Sequence, residues 1–273
     1  HKTMKRNDKV LSKLDRSGHG IEIGPSYSPV APKSEGYSVE IIDHLSKPSL
    51  LKKYEGLGVP ADRLARIEDV DYVWRGEDYV TLTGKKRHYD WIVASHVVEH
   101  MPDLIAFLIQ CDDIMTETGV LSLVVPDMRY CFDHFRPIAS LSSIIDKHVN
   151  NQERHSAGTA AEFYLNAVSR GDNILWSKKS TEPFKLSHGL NDALTAMQQA
   201  HLGGVYEDYH SWCFVPHSFR LIIQDLHDLG LIPFRELEFF PTAGYEFFIS
   251  LSRAGSGFNM PRLDALNVIK SEV

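Results

Sequence analysis

The sequence predicts an α/β domain: a doubly wound, mostly parallel seven-stranded sheet with a C-terminal antiparallel hairpin and a helical insertion after the fifth strand. Three observations carry this expectation. Short, β-branched apolar runs alternate with helical or turn-rich stretches through the first half of the chain, which is the pattern of βαβ units. Those runs are apolar nearly throughout, as strands are when both faces of a sheet are covered. Two further strand-like runs, joined by a short connection, close the chain as a hairpin would.

Residues 2–16 are charged, with Val10, Leu11 and Leu14 interspersed, and read as a leading helix. Gly20-Ile21-Glu22-Ile23-Gly24 is an apolar run stopped by Gly24 and Pro25, a buried first strand. Tyr37 to Asp43 is the second strand, Arg66 to Val73 a weaker third, and Tyr89 to Ser95 the fourth. Between Pro102 and Met115, Leu104, Ile105, Leu108, Ile109 and Ile114 recur at helical spacing. Gly119 to Val125 is the fifth strand, closed by Pro126. A helix from Pro216 to Leu229 stops at Gly230. Phe234 to Phe240 and Tyr245 to Ser252 form the hairpin around Pro241-Thr242-Ala243-Gly244. Helix-like stretches at Ser140–Val149, Thr159–Ser169 and Leu190–Leu202 lie in the insertion, at about 138–205. The whole reads as one domain, 1–273, with that insertion as a substrate lid and the tail beyond Gly255 as peripheral.

Composition narrows the function classes. With 273 residues and 43% hydrophobic residues the chain can bury a sizeable core. No run reaches the roughly 18 consecutive apolar residues of a membrane-spanning helix. The first residues lack the apolar core of a secretion signal, so the expected compartment is the cytoplasm. A net charge of −7 argues against a nucleic-acid partner. The best basic run, Gly84-Lys85-Lys86-Arg87-His88, reads as a solvated turn. Cys111, Cys131 and Cys213 are scattered without CxxC spacing, which disfavours both a disulfide framework and a thiolate zinc site.

In an open parallel sheet, ligands bind outside the carboxyl ends of the strands, where the strand order reverses. The first strand ends in Glu22-Ile23-Gly24-Pro25-Ser26, and the second ends in Asp43, an acid placed to accept hydrogen bonds from ribose hydroxyls. Gly24 lets the backbone approach a ligand closely. Ser26 stands where a dinucleotide fingerprint has its second glycine, which a pyrophosphate needs. S-adenosyl-L-methionine has no phosphate, so this loop favours it over NAD.

Four segments carry a family resemblance: Ile21-Glu22-Ile23-Gly24-Pro25, Val39 to Asp43, Trp91 to His100, and Gly119 to Pro126. With the terminal hairpin they resemble the class I S-adenosylmethionine-dependent methyltransferases, over residues 18–130 and the final helix and hairpin. The resemblance implies a Rossmann-like fold with Glu22, Gly24 and Pro25 near the methionine moiety and Asp43 on the ribose. It implies Ser95 and His96 lining the cofactor, and a residue of the Asp71-Tyr72-Val73 stretch flanking the adenine. The loop here has fewer glycines than the common family version. Two further runs, Gly24 to Lys33 and Val125 to Asp133, resemble bacterial methyltransferases associated with surface-glycan assembly.

His96-Val97-Val98-Glu99-His100 fits the HxxEH string of inverted zinc metallopeptidases. Pro102 ends any helix through it almost at once, so His96 is expected to line the cofactor and His100 to pack against or cap the next helix. No metal is predicted; Asp127 and Asp133 are the local carboxylate pair that a divalent ion would use.

Methyl transfer to an alcohol releases a proton, which a nearby base accelerates by roughly 10²–10⁴-fold. Charged and aromatic residues concentrate between 126 and 136 and between 206 and 214, a mixture suited to a polyhydroxylated ligand. His155 and His210 are the expected bases, with Asp127 as a third catalytic candidate. Arg129, Tyr130, His134, Arg154 and Trp212 are the expected acceptor contacts. The leading expectation is therefore O-methylation of a sugar hydroxyl in a bacterial glycan or glycolipid. The alternatives are a small-metabolite or protein side-chain methyltransferase, a non-catalytic cofactor-binding module, and a nicotinamide oxidoreductase, which the missing glycines disfavour.

Overall fold

The computed structural model describes residues 3–203 and 208–273. Its elements in chain order are α1 (Arg6–Leu11), β1 (His19–Ile23), β2 (Ser38–Asp43), α2 (Lys47–Gly56), α3 (Ala61–Leu64), β3 (Tyr72–Val73), α4 (Tyr79–Thr83), β4 (Tyr89–Ser95), α5 (Leu104–Ile114) and β5 (Met115–Pro126). The chain then forms α6 (Leu141–Val149), α7 (Ala157–Asn166), β6 (Val168–Arg170), β7 (Phe184–Leu186) and α8 (Leu190–His201). It ends with α9 (Pro216–Asp228), β8 (Arg235–Ala243), β9 (Glu246–Ser252) and α10 (Arg262–Glu272).

Seven strands form one sheet in the order β3-β2-β1-β4-β5-β9-β8. β3, β2, β1, β4 and β5 run parallel, and β9 enters antiparallel between β5 and β8. The chain steps outward from β1 to β3, then returns to place β4 on the other flank of β1. The strand order therefore reverses between β1 and β4, and in open α/β sheets ligands bind beyond the carboxyl ends of the strands at such a reversal. This is the mostly parallel, Rossmann-like layout with an antiparallel end that the sequence predicts.

Side chains alternate across each strand. Ile92 and Ala94 of β4, with Leu121, Leu123 and Val125 of β5, join the core shared with α5 and α9. Trp91 and Val93, with Val120 and Val124, face the opposite side, where Val10 and Leu11 of α1 cover them. Each such fully buried aliphatic side chain contributes about 1.5–3 kcal/mol relative to exposure. Gly20 lies directly on the Trp91 ring: a Cβ there would come 2.1 Å from Trp91 Cδ2. Only glycine admits that contact.

Four expectations change. The third strand is two residues long, because only Tyr72 and Val73 pair with β2 and Asp71 turns away to bind Lys33 and the Ile41 N–H. The hairpin turn is tighter than Pro241–Gly244, since β8 continues through Ala243 to pair with Glu246. The insertion holds a small antiparallel sheet, β6 with β7, that exposed Phe184 and Leu186 gave no alternating pattern to reveal. The tail is not loose: α10 docks on α9, with Glu272 accepting from the His217 N–H and pairing with its ring.

The insertion has two parts. Ile144 of α6 belongs to the main core. α7 and α8 pack around a separate cluster, Ala160, Ala196 and Tyr209. Residues 204–205, the last of the expected insertion, lie outside the described residues.

Candidate functional site

The loops that leave β1, β2, β4 and β5 lie at the carboxyl end of the sheet, beside the strand-order reversal. After β1 the chain turns sharply, with Gly24 at φ 64° and Ser26 at φ 47°. The Gly24 N–H donates to the Ile42 carbonyl (2.8 Å), which lays the loop across the end of β2. Left-handed backbone costs a non-glycine residue roughly 1–2 kcal/mol. At Ser26 a neighbour offsets that cost, since its N–H donates to Asp43 Oδ2 (3.1 Å).

Glu22 holds this loop from beneath. It is 1% exposed, and its carboxylate accepts from the Val30 N–H (2.9 and 3.1 Å) and the Ala31 N–H (3.0 Å). Burial pushes its pKa up to about 7 against those contacts. The sequence places Glu22 beside a ligand; the structure gives its oxygens to the loop, so it shapes that loop. Pro25 is buried in the same loop.

Asp43 closes the second strand at 3% exposure. Its Oδ1 accepts from the His44 N–H and faces His44 Nδ1, both at 2.8 Å, while Oδ2 takes the single Ser26 N–H. Tyr72 sends its hydroxyl to Glu40 (3.3 Å), and Asp71 is committed to Lys33 and Ile41. Both are therefore held at the β2–β3 edge. Trp74, just beyond β3 and half-buried, donates its N–H to the Glu77 carbonyl (2.7 Å). Its flat ring is a feature that the sequence reading missed.

A second cluster sits beyond β4. His96 has φ 56°, a strained conformation for a non-glycine residue. Its Nε2 meets Glu246 Oε2 at 2.7 Å. Arg6 from α1 spans the same place, donating to Glu246 Oε1 (2.5 Å) and to Ser95 Oγ (2.9 Å). Burial opposes ionisation of Glu246, but the His96 and Arg6 contacts hold its carboxyl below the usual range. The predicted Ser95 and His96 thus come together, through two partners, Arg6 and Glu246, that lie far away in sequence and carry no local signal.

A third cluster lies at the turn after β4. Glu99 is fully buried, and neither carboxylate oxygen has a hydrogen-bond partner. Two imidazole Nε2 atoms face Glu99 Oε1, that of His100 at 3.7 Å and that of His210 at 3.8 Å. His100 Nδ1 meets Asp208 Oδ1 at 2.7 Å, and His210 Nδ1 hydrogen-bonds Asp133. Arg136, buried, braces the group by donating to Asp133 Oδ1 (3.0 Å) and to the His210 carbonyl (2.9 Å). The expectation that His100 packs against or caps the next helix is replaced by this pairing; the helix is capped by Asp103, which accepts from the Ala106 N–H.

The remaining candidates spread out. His155 is buried, its Nδ1 at 2.7 Å from Ser211 Oγ and its ring against Tyr209; burial, then Lys147 and His100, push its pKa down to about 4. An imidazole held that low is a weak base near neutrality. Asp127 is fully buried with four donors on two oxygens: the Arg129 N–H, Nε and Nη2, and the Thr242 hydroxyl. That saturation suits a brace for the loop after β5 and leaves no lone pair for an acceptor's proton. Arg129 and Tyr130 line a cleft of about 520 Å³ with Lys178, Lys179, His217 and Thr242. His134 points its Nδ1 at the Arg129 carbonyl (2.7 Å) and packs on Phe184. Arg154 is exposed and reaches the Gly203 carbonyl (3.3 Å). Trp212 is a core residue, 4% exposed, donating to the Met101 carbonyl (2.8 Å), and does not present its ring as an acceptor platform. Tyr206 and Glu207, part of the dense 206–214 stretch, lie outside the described residues.

No family model and no curated protein matches the chain. Solved structures do resemble it. A SAM-dependent methyltransferase from Aquifex aeolicus aligns over 90% of this chain and 88% of its own, at 12% identity and a TM-score of 0.42. A chain assigned as a Zn-dependent alcohol dehydrogenase from Rhodobacter sphaeroides aligns over 92% and 89%, at 11% identity and a TM-score of 0.46. The methyltransferase CalH, in complex with SAH, aligns over 89% of this chain and 53% of its own, at 14% identity and a TM-score of 0.42. At these values the fold assignment rests on the chain's own strand order, and the function rests on its own site.

Proposed function

We propose that the chain is a class I methyltransferase that takes its methyl group from S-adenosyl-L-methionine and transfers it to a hydroxyl of a small-molecule or glycan acceptor. The observation that carries this reading is the strand-order reversal between β1 and β4, where a left-handed Gly24 turn is tied to the Asp43 carboxylate through the Ser26 N–H. The fit to this cofactor is a matter of donor chemistry. Asp43 Oδ2 takes a single N–H and can accept from a ribose hydroxyl. Ser26 in the turn denies a pyrophosphate the close backbone approach that a second glycine gives. The antiparallel β8–β9 end further supports a methyltransferase layout over a dinucleotide one.

When bound, the sulfonium supplies a methyl group already activated for in-line displacement, so the protein's main task is to orient the two reactants. Glu22 fixes the loop, Asp43 holds the ribose, and Trp74 offers a face to the adenine. Ser95 and His96, held by Arg6 and Glu246, line the cofactor beyond β4. The acceptor enters from the side of the insertion, where α7 and α8 form a unit with its own small core. Within this reading His210 is the better placed of the two expected bases, because Asp133 fixes its tautomer. A sugar hydroxyl of a bacterial glycan or glycolipid is the acceptor class favoured by the aromatic and charged residues around it. Calorimetric titration with S-adenosylhomocysteine, followed by a screen of sugar acceptors with labelled methyl donor, tests the cofactor and acceptor in turn. Transfer to protein side chains or small metabolites alone would replace the glycan assignment.

A further inference from the structure

Glu99 poses a problem of energetics. A buried carboxylate without hydrogen bonds is costly, and such groups are retained where a cation offsets that cost. The neighbouring imidazoles do not supply hydrogen bonds, because 3.7 and 3.8 Å are too long for N–H···O contacts. Their orientation explains why. Each ring turns its Nδ1 toward a carboxylate, His100 to Asp208 and His210 to Asp133. A carboxylate accepts, so His210 keeps its proton on Nδ1, against Asp133, and its neutral ring presents the Nε2 lone pair toward Glu99; a neutral His100 with its proton on Nδ1, 2.7 Å from Asp208 Oδ1, presents its Nε2 in the same way. A carboxylate oxygen and two imidazole nitrogens thus lie within 4.8 Å of one another without a hydrogen bond among them.

We propose that Glu99, His100 and His210 bind one divalent transition-metal ion of the zinc class. Among the described residues they are the one group of three His, Cys, Asp or Glu side chains whose ligand atoms lie close enough to share an ion, all within 4.8 Å of one another. Two ligand atoms on a tetrahedral ion stand roughly 3.4 Å apart. The two contacts to Glu99 need a contraction of only a few tenths of an ångström to reach that spacing. Two imidazoles and one carboxylate suit zinc, cobalt or iron rather than magnesium or calcium. Asp208 and Asp133 are the outer carboxylates that fix the tautomer and aim of metal-bound histidines. The frame is also set: the Glu99 carbonyl accepts the Ser211 (2.8 Å) and Trp212 (3.3 Å) N–H groups, locking the 98–100 turn to the segment that carries His210. His96 takes no part, since its Nε2 is engaged by Glu246. The site therefore uses only the second half of the HxxEH string and draws its third ligand from a segment far along the chain.

Three protein ligands leave a position on the ion for water. Under the O-methyl transfer proposed above, the acceptor hydroxyl takes that position and a divalent ion makes its proton easier to lose, to solvent; His210, with its Nε2 on the ion, then serves as a ligand in place of the base role given it for the metal-free site. This last step rests on the proposed function; the metal site does not.

The test uses the full chain, treated with chelator, returned to metal-free buffer and titrated with Co²⁺ and with Zn²⁺, without methyl donor or acceptor. The expected result is one equivalent bound, with the visible absorption of four- or five-coordinate Co²⁺. Glu99→Gln, which removes the buried charge and keeps the shape, and His100→Ala, on the more exposed side, each weaken binding by about 100-fold or more. Asp133→Asn, changing a positioning residue, weakens it about 10–100-fold. Circular dichroism confirms which variants fold, and His100→Ala carries the test if Glu99→Gln does not. Absence of stoichiometric uptake by the wild type overturns the proposal. So does wild-type affinity in a folded Glu99→Gln or His100→Ala. Because no S-adenosylmethionine is present, either outcome leaves the methyltransferase reading to its own experiment.

Discussion

Replacing Glu22 by glutamine changes how the stability of the fold depends on pH. Glu22 is buried beneath the loop that follows β1, and burial raises its pKa from 4.5 to about 7. The folded state therefore holds the proton more tightly than the unfolded chain. For such a carboxyl, the contribution to stability is greatest below the unfolded pKa and is lost as pH rises toward the folded value. One pKa unit corresponds to about 1.4 kcal/mol, so the complete loss is about 3 kcal/mol. Between about pH 5 and about pH 8 the wild type should lose roughly 2–3 kcal/mol that the non-titrating Glu22→Gln variant keeps. The glutamine side chain has its own cost, because its amide N–H meets the loop's N–H groups, but that cost is independent of pH. Urea unfolding of both proteins at several pH values gives the difference directly. A gap between them that stays constant with pH, or in which the wild type gains, would refute the reasoning. It would mean that the Val30 and Ala31 N–H contacts outweigh burial and keep Glu22 ionised throughout.

Two further outcomes test the packing. Gly20→Ala drives a methyl group into the Trp91 ring, where the nearest atom is 2.1 Å from the ideal Cβ, and should cost about 1–3 kcal/mol in chemical denaturation; an unchanged midpoint would contradict the close contact. Cys111, Cys131 and Cys213 are all free and buried, and burial pushes each thiol well above its ordinary pKa. Native protein should resist thiol reagents while denatured protein reacts at all three positions, and rapid native labelling would contradict the burial.

Strands β1, β2, β4 and β5 were legible because both of their faces are covered, which forces continuous apolar runs such as Trp91-Ile92-Val93-Ala94. The hairpin was legible for the opposite reason: a short connection between two such runs permits little else. β3 was misjudged because two paired residues are too few to impose a pattern. The small β6–β7 sheet was invisible because exposed strands need no apolar alternation.

Within the candidate site, Gly24 and Asp43 stand out in the sequence because they follow and close two apolar strands, and the structure brings them to the same end of the sheet. Glu22 stands at the expected strand end, but sequence cannot show that the loop folds back to use its oxygens. Glu99 and His100 were in view inside the HxxEH string, and Pro102 rightly argued against a long metal-binding helix. No local pattern contains His210, which two backbone hydrogen bonds bring to Glu99, or Arg6 and Glu246, which meet across the sheet from opposite ends of the chain. Long-range pairs of this kind are set by topology, and the sequence carries them only through the strand order.

The most direct test of the central claim is calorimetric titration of the folded protein with S-adenosylmethionine and S-adenosylhomocysteine, beside Asp43→Ala. We predict one site per chain in the micromolar range for the wild type. Loss of charge-assisted hydrogen bonds, each contributing about 1.5–3 kcal/mol, should weaken the variant by at least ~10-fold. A folded wild type that binds neither ligand, or an Asp43→Ala variant that binds them as tightly as the wild type, would contradict the account.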